Sequence, residues 1–190
     1  MKYYIIAGEA SGDIYGSQLI TEIKLLDKNA EIRFWGGDKM IHSGGTNVKH
    51  IRDLAFMGFY EVIKNLNKII NNISFCKKDI LAFNPDKIIY IDYPGFNLRI
   101  CDWAKKKGYN NFYYISPQIW AWKESRIKII KSCIDKMFVI LPFEKDYYKV
   151  KHNYNVSYVK NSLIDKIKKF KELNKNDFFK KNKINYNLKI

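Results

Sequence analysis

The sequence predicts an α/β fold, in which a mostly parallel β-sheet carries helices on both faces. Short apolar runs alternate along the chain with segments whose apolar residues recur at helical spacing, and this alternation is typical of strand–helix–strand units. The chain contains no internal sequence repeat. In such sheets ligands bind at the carboxyl ends of the strands, so the loops that leave the strands are the places to look for function.

The chain opens on a predicted strand, loop and helix. The apolar run from Lys2 to Ala7 predicts a buried strand, and the turn-like segment 8–13 follows it. A helix is then indicated by apolar residues at Ile14, Leu19, Ile20, Ile23 and Leu26. Glu31 to Trp35 predicts a second strand, and Asp38 to His42 predicts a short helix that Asp38 caps and Gly44 closes.

The rest of the chain continues the alternation. A long amphipathic helix is predicted from Phe59 to Ile80, and 84–86 ends it before a buried strand from Lys87 to Ile91. The further predicted elements are helix Leu98 to Lys107, strand Asn111 to Ile115, helix Lys123 to Cys133, strand Lys136 to Leu141, helix Phe143 to Val150 and strand Val156 to Val159. We expect one domain over 1–165 and a lysine-rich segment over 166–190, with a surface helix and a strand from Ile184.

Composition narrows the classes of protein and of partner. Hydrophobic residues make up 47% of the 190 residues and charged residues 28%, which is a globular composition. The formal net charge of +15 favours nucleic acid, an anionic membrane or phosphorylated substrates as partners, although compositional drift toward lysine explains it equally well. The three cysteines are far apart and favour a reducing compartment. No signal peptide or spanning helix is evident, so any membrane contact is expected to be peripheral.

The first loop offers a binding site for a ligand. Its glycines permit close backbone approach, and a helix start exposes N–H groups that suit an anionic or hydroxyl-rich ligand. The candidate binding residues are Glu9, Ser11, Gly12 and Asp13. The loop matches neither a dinucleotide fingerprint nor a P-loop. A plain strand-to-helix turn capped by Ser11 or Asp13 is an equal alternative.

A carboxylate directly follows the buried strand 87–91. Asp92 stands at the rim where ligands bind, and it can act as a general base if burial raises its pKa. Asn97 is a candidate substrate contact in the same loop. The alternative is that Asp92 caps the turn and Asn97 caps the next helix, which is more plausible for Asn97.

Two tryptophans lie in the loop after the predicted strand 111–115. Trp120 and Trp122 can form a platform for a sugar or an acyl chain, although we expect at least one of them to be core. Lys123 and Arg126 can meet a phosphate. The other candidate binding residues here are Ser116 and Gln118.

The predicted helix after Met57 interleaves apolar and basic residues. Such a helix can lie in a membrane interface, and it can equally pack its apolar stripe on the sheet. The candidate membrane contacts are Phe59, Ile63, Leu66 and Ile70, and Glu61 is a candidate substrate contact at the start of the helix.

Together these segments resemble the lipid-A-disaccharide synthases, glycosyltransferase family 19. The matching blocks, in order, are Ala7-Gly8-Glu9-Ala10-Ser11-Gly12-Asp13, Gly36-Gly37 with Met40 and Gly44, Met57-Gly58 with Glu61-Val62, Ile91-Asp92-Tyr93-Pro94-Gly95-Phe96-Asn97, Ser116-Pro117-Gln118-Ile119-Trp120-Ala121-Trp122-Lys123 with Arg126, and Leu141-Pro142-Phe143-Glu144. The resemblance covers residues 1 to about 165.

The resemblance implies the Rossmann-like N-terminal half of a GT-B glycosyltransferase. Family members transfer 2,3-diacylglucosamine from UDP-2,3-diacylglucosamine to 2,3-diacylglucosamine 1-phosphate (lipid X), with inversion and without a metal or other cofactor. The resemblance assigns Asp92 as the general base. It implies a cytoplasmic enzyme that is peripheral on the anionic inner-membrane surface, contacts the membrane through the 57–73 helix and needs no nucleic acid. A homodimer is one arrangement open to the complete enzyme.

Two departures and two rival classes accompany this resemblance. Lys160 and Ser162 replace a glycine and a proline that are usual in the family, and the UDP-binding half does not follow Ile190, so we expect little transferase activity from this chain alone.

A nucleotide-binding oxidoreductase domain would need a dinucleotide fingerprint. A basic, non-catalytic Rossmann-like domain that binds nucleotide or nucleic acid fits the charge but lacks a recognisable motif.

Overall fold

The computed structural model describes residues 1–54, 66–162 and 164. In that part of the chain seven strands form a single sheet. In chain order they are β1 (Lys2–Ala7), β2 (Glu31–Gly36), β3 (Thr46–His50), β4 (Lys87–Ile91), β5 (Asn111–Tyr114), β6 (Lys136–Val139) and β7 (Ser157–Tyr158). Their order across the sheet is β3-β2-β1-β4-β5-β6-β7, and every neighbouring pair is parallel.

Helices connect these strands. They are α1 (Ala10–Leu26), α2 (Asp38–Ser43), α3 (Leu66–Phe83), α4 (Pro94–Lys106), α5 (Ile127–Cys133) and α6 (Pro142–Asp146). Short 3₁₀ turns cover Ile51–Asp53 and Glu124–Arg126, and a π-helical turn at Tyr147–Lys151 follows α6. None of the helices in the described part has the length and apolar character needed to cross a bilayer.

Helices cover both faces of the sheet, as the alternation of elements predicts. On β1, Tyr4 and Ile6 point to one face, where they join a core that contains Cys76 and Ile80 of α3. Ala7 points to the other face. There α1 packs so closely that a Cβ on Gly12 would lie 3.2 Å from the Cβ of Ala7.

The strand order reverses at β1, which pairs with both β2 and β4. The chain therefore leaves β1 toward one side and leaves β4 toward the other, which opens a crevice at their carboxyl ends. Ala7 and Ile91 are partners in register, so the loops that begin at Gly8 and Asp92 leave the sheet side by side.

Two buried strands match their predicted bounds, and other elements do not. Strand β6 ends at Val139 rather than at Leu141, and β7 covers Ser157–Tyr158 rather than Val156 to Val159. Strands β1 and β4 lie where the sequence predicts them. The prediction missed β3, because Val48 is the only aliphatic residue of this edge strand. Helix α4 begins at Pro94 rather than at Leu98, since a proline fits the first helical position.

Three further expectations about helices were wrong. The predicted helix from Lys123 begins as the 3₁₀ turn Glu124–Arg126 and becomes α-helical only at Ile127. The predicted helix 143–150 is α6 followed by the π-helical turn. Asp38 does not cap α2, because Gly37 occupies the N-cap position.

The chain divides into two compact units, Met1–Val159 and Lys160–Ile190. The first contains the whole sheet. The predicted surface helix and strand of the 166–190 segment lie outside the described residues, as does the predicted helix from Phe59 up to residue 65.

Candidate active site

Strained backbone marks the loop that follows β4. Asp92 and Tyr93 both have left-handed backbones, with φ of 45° and 49°, a conformation that non-glycine residues rarely adopt. Tyr93 is the N-cap of α4, and Pro94 begins the helix without needing a hydrogen-bond acceptor. The chain thus turns sharply from β4 into α4 and leaves Asp92 at the switch point of the sheet.

Hydrogen bonds hold the backbone of Asp92 in this conformation. Its N–H donates to the carbonyl of Tyr114 at 3.2 Å, and its carbonyl accepts from the hydroxyl of Tyr113 at 2.6 Å. The same carbonyl accepts from the side-chain amide of Asn97 at 2.7 Å. Longer contacts join that amide to the carbonyls of Ile91 and Ile6, at 3.4 and 3.5 Å. Asn97 is fully buried, so its observed contacts position Asp92 rather than cap α4.

The carboxyl of Asp92 has the properties of a general base. Burial raises its pKa from 3.8 to about 6, the negative charge of Glu9 adds to the rise, and the backbone N–H of Tyr93 opposes it. No lysine, arginine or histidine in the described ranges forms an ion pair with it. A carboxylate with a pKa just below neutrality is mostly ionised at pH 7 and still accepts a proton readily.

The first loop packs directly against the Asp92 loop. A Cβ on Gly8 would overlap the ring of Tyr93, so only glycine leaves room for that ring. The same ring stacks on Phe96 with a centroid distance of 5.7 Å. Glu9 and Ser11 are exposed beside this contact, and the charge of Glu9 is felt at both Asp92 and Tyr93. Glu9 and Ser11 therefore remain available to a ligand near Asp92.

Asp13 connects α1 to the loop after β2. Its carboxylate accepts from the backbone N–H groups of Gly37, Lys39 and Met40 at 2.7, 3.1 and 3.0 Å. Asp13 is 4% exposed. It thus caps α2 across space, and these contacts differ from both the predicted ligand contact and the predicted capping of its own helix. Gly12 is buried against β1. The close backbone approach that its lack of a side chain permits is therefore made by the protein itself and not by a ligand.

Ser116 joins the loop after β5 to α6. Its hydroxyl donates to Oε1 of Glu144 at 2.8 Å, and Oε2 of Glu144 accepts from the N–H of Leu141 at 3.1 Å. Ser116 and Glu144 are both buried. The preceding residue, Ile115, has a φ of 66°, which is strained for a β-branched side chain. The buried pair therefore holds a strained loop in place.

The expectation that Trp120 or Trp122 is core was wrong. Trp120 is 40% exposed and Trp122 is 57% exposed. Ile119 fills the buried position of this loop instead, at 1% exposure. Trp120 meets Phe143 edge to face at 5.1 Å, and Gln118 is exposed beside it. The exposed rings of Trp120 and Trp122 give this loop an apolar surface.

A cavity of about 630 Å³ lies between the first turn of α4 and the turn 124–126. Arg99, Lys123 and Arg126 are its charged lining residues. Sequence reasoning pointed to Lys123 and Arg126 but missed Arg99. The sequence signal that could have identified Arg99 is its position two residues after Asn97. Its neighbours in the helix, Leu98 and Ile100, are both buried.

Several predicted contacts cannot be placed. Phe59, Glu61 and Ile63 lie outside the described residues, and so does the side chain of Leu66. Ile70 is 58% exposed on α3. Ile73, three residues further on, packs against the core.

The chain shares its fold with solved structures of UDP-N-acetylglucosamine 2-epimerases. It is similar to the UDP-GlcNAc 2-epimerase of Neisseria meningitidis, solved with UDP-GlcNAc bound, with a TM-score of 0.62 and 11% identity over 90% of this chain and 50% of that one. It is also similar to the UDP-N-acetylglucosamine 2-epimerase of Rickettsia bellii, with a TM-score of 0.63 and 12% identity over 97% of this chain and 52% of that one. The chain has the Rossmann-like fold of the N-terminal half of a GT-B protein.

The sequence identifies the family of the chain. The family model of lipid-A-disaccharide synthetase matches residues 3–189, and the chain belongs to that family. The lipid-A-disaccharide synthase of Trichlorobacter lovleyi is 45% identical over 147 residues, which are 77% of this chain and 38% of that protein. Lipid-A-disaccharide synthase 1 of Legionella pneumophila is 41% identical over 167 residues, 87% of this chain and 43% of that protein. The chain thus spans about two fifths of the length of these curated relatives.

Proposed function

We propose that this chain is the acceptor side of an inverting glycosyltransferase that makes a lipid A disaccharide. The acceptor is 2,3-diacylglucosamine 1-phosphate, the donor is UDP-2,3-diacylglucosamine, and UDP is the second product. The chain acts in the cytoplasm, peripheral on the inner membrane. Family membership and the location of Asp92 at the switch point support this proposal.

The carboxyl of Asp92 carries the proposal. The attacking hydroxyl must lose a proton as its oxygen bonds to the anomeric carbon, and a positioned base lowers the barrier to that step. Burial keeps the pKa of Asp92 near 6. Hydrogen bonds to its carbonyl fix its backbone at the carboxyl edge of the sheet. The base takes one proton while UDP departs with the electrons of the broken glycosidic bond, so no covalent intermediate is required.

The surfaces around Asp92 suit an acylated sugar. Glu9 and Ser11 offer polar contacts for hydroxyl groups, and the exposed rings of Trp120 and Trp122 offer apolar area. The exposed Ile70 on α3 stands on the helix that we assign to the membrane interface.

The test is the Asp92→Asn variant of a protein in which this chain is joined to the C-terminal region of a family member. Asparagine keeps the shape of the side chain and removes the base. We expect the rate of transfer to fall by at least ~100-fold, measured as disaccharide formed from labelled lipid X. Asp102→Asn is the matched control, since it makes the same change in an ion pair with Lys106 on α4. Near-normal turnover by Asp92→Asn would show that Asp92 is structural.

A further inference from the structure

We propose that Arg99, Lys123 and Arg126 form a phosphate-monoester site, separate from the Asp92 carboxyl but beside it. The three cations line one cavity of about 630 Å³. They come from two places in the chain: Arg99 from α4, and Lys123 and Arg126 from the start and the end of the turn before α5. Three positive charges brought to one cavity from a helix and a separate turn favour an anionic ligand.

These cations have no acidic partner in the described ranges. Other arginines and lysines of the chain do, since Arg33 pairs with Asp79 at 2.6 Å and Arg52 pairs with Asp38 at 2.7 Å. No such ion pair or hydrogen bond holds the side chains of Arg99, Lys123 or Arg126 among the residues described. Their donors are therefore available to a ligand.

An aromatic ring holds two of the three cations. Nζ of Lys123 lies 4.6 Å from the ring centroid of Trp122, and the guanidinium carbon of Arg126 lies 5.2 Å from it. Cation–π contacts of this kind orient a side chain without neutralising its charge. Lys123 also has a left-handed backbone with a φ of 52°, a strained conformation that non-glycine residues rarely adopt.

Helix α4 adds a second source of positive potential. The cavity is lined by Tyr93, Pro94, Gly95 and Phe96, the N-cap and first turn of a 13-residue helix. The start of a helix carries partial positive charge. A Cβ on Gly95 would meet nothing within 4 Å, so the backbone there is open to a ligand. Side-chain charge and helix dipole thus favour the same kind of ligand.

The remaining lining residues define the rest of the ligand. Ile69, Leu98 and Ile129 add apolar surface beside the cations. Tyr93 lines the cavity next to Asp92, and the charge of Arg126 is felt at the hydroxyl of Tyr113, which donates to the carbonyl of Asp92. The ligand that fits is a sugar phosphate whose hydroxyl can reach Asp92. Its assignment to the acceptor's 1-phosphate rests on the proposed function, whereas the anion site rests on the residues alone.

The test is a titration of the 190-residue chain with N-acetylglucosamine 1-phosphate, followed through the backbone amide signals of Gly95 and Ser125. We expect saturable shifts with this probe, weaker saturable shifts with inorganic phosphate, and none with neutral N-acetylglucosamine. The affinity should fall about tenfold in Arg99→Gln and in Arg126→Gln, the scale of one lost hydrogen bond to a charged group. Arg99 is exposed and has no partner in the described ranges, so its replacement leaves the fold intact.

Lys128→Gln is the matched control, because Lys128 is an exposed cation of α5 that does not line the cavity. Its affinity should change by less than about twofold, since salt screens exposed charges. Equal losses in all three variants would show attraction by the overall charge and would overturn the site. Absence of saturation in the native chain would overturn it as well. Neither outcome involves glycosyl transfer, so this experiment does not test the role of Asp92 as the base.

Discussion

At the scale of single residues, the chemistry of Asp92 follows from conflicting demands on one side chain. Its backbone is held left-handed by hydrogen bonds to Tyr113 and Asn97, while burial disfavours its charge. Strain and desolvation of this kind are concentrated at functional sites. A structural residue at this position would be more stable as a neutral amide, which also tolerates the left-handed backbone.

Asp92→Asn should therefore stabilise the 190-residue chain at neutral pH. The pKa of Asp92 is raised from 3.8 to about 6 in the fold, so its ionisation costs stability. That cost builds up as the pH rises from 3.8 to about 6 and is fully present above it. Urea unfolding at pH 8 and at pH 3.5 should show a stabler variant at the higher pH and equal stability at the lower pH. A less stable variant at pH 8 would mean that the carboxylate stabilises the fold.

Sequence reasoning found Asp92 because it stands alone after an apolar strand. It did not find Tyr93 or Arg99, whose roles depend on which loops become neighbours. Tyr93 contacts Gly8, which lies far away in the sequence, because β1 and β4 are adjacent in the sheet. Strand order is a property of the whole sheet and cannot be read from local spacing.

At the scale of elements, apolar content shows where a strand lies better than where it ends, since β6 ends at Val139 rather than at the predicted Leu141. β1 and β4 are buried runs with clear bounds, whereas β3 is an edge strand of mostly polar residues. The start of α4 was misplaced by four positions (98 against 94), because Pro94 and Gly95 usually indicate a turn. The capping of α2 by Asp13 is a tertiary contact, which no local pattern reveals.

Asp13→Asn should destabilise the fold. The carboxylate accepts three backbone N–H groups on two oxygens, whereas the amide has one acceptor oxygen, so at least one of these donors loses its partner. We expect a loss of roughly 1–3 kcal/mol in the free energy of unfolding, measured by urea denaturation. Glu22→Gln removes the same charge from an exposed position of α1 and should be neutral. Equal stability of the two variants would show that Asp13 does not hold α2.

At the scale of the whole molecule, charge and exposed apolar residues suggest a membrane-facing surface on α3. The chain carries a net charge of +15, and α3 contributes Lys68, Lys77 and Lys78. On the same helix Ile70 is 58% exposed and Phe75 is 46% exposed. A helix that offers apolar and basic side chains to solvent suits the interface of an anionic bilayer.

Vesicle sedimentation tests this surface. The native chain should pellet with vesicles that contain anionic lipid, and less so at high salt. Ile70→Ser should lower the constant for partitioning onto vesicles by roughly thirtyfold, because about 2 kcal/mol of apolar transfer is lost. Leu26→Ser is the matched control, since Leu26 is 89% exposed at the end of α1. Equal losses in the two variants would refute a specific membrane contact through α3.

The pH dependence of transfer tests the central role of Asp92 most directly. In the protein completed with a C-terminal region, kcat/KM should fall with decreasing pH below about 6, because the base is then protonated. Glu9→Gln removes the negative charge that helps to raise the pKa of Asp92, so the acidic limb should move to lower pH. A profile that is flat between pH 4.5 and 8, or a limb that also appears unchanged in Asp92→Asn, would contradict the assignment of Asp92 as the base.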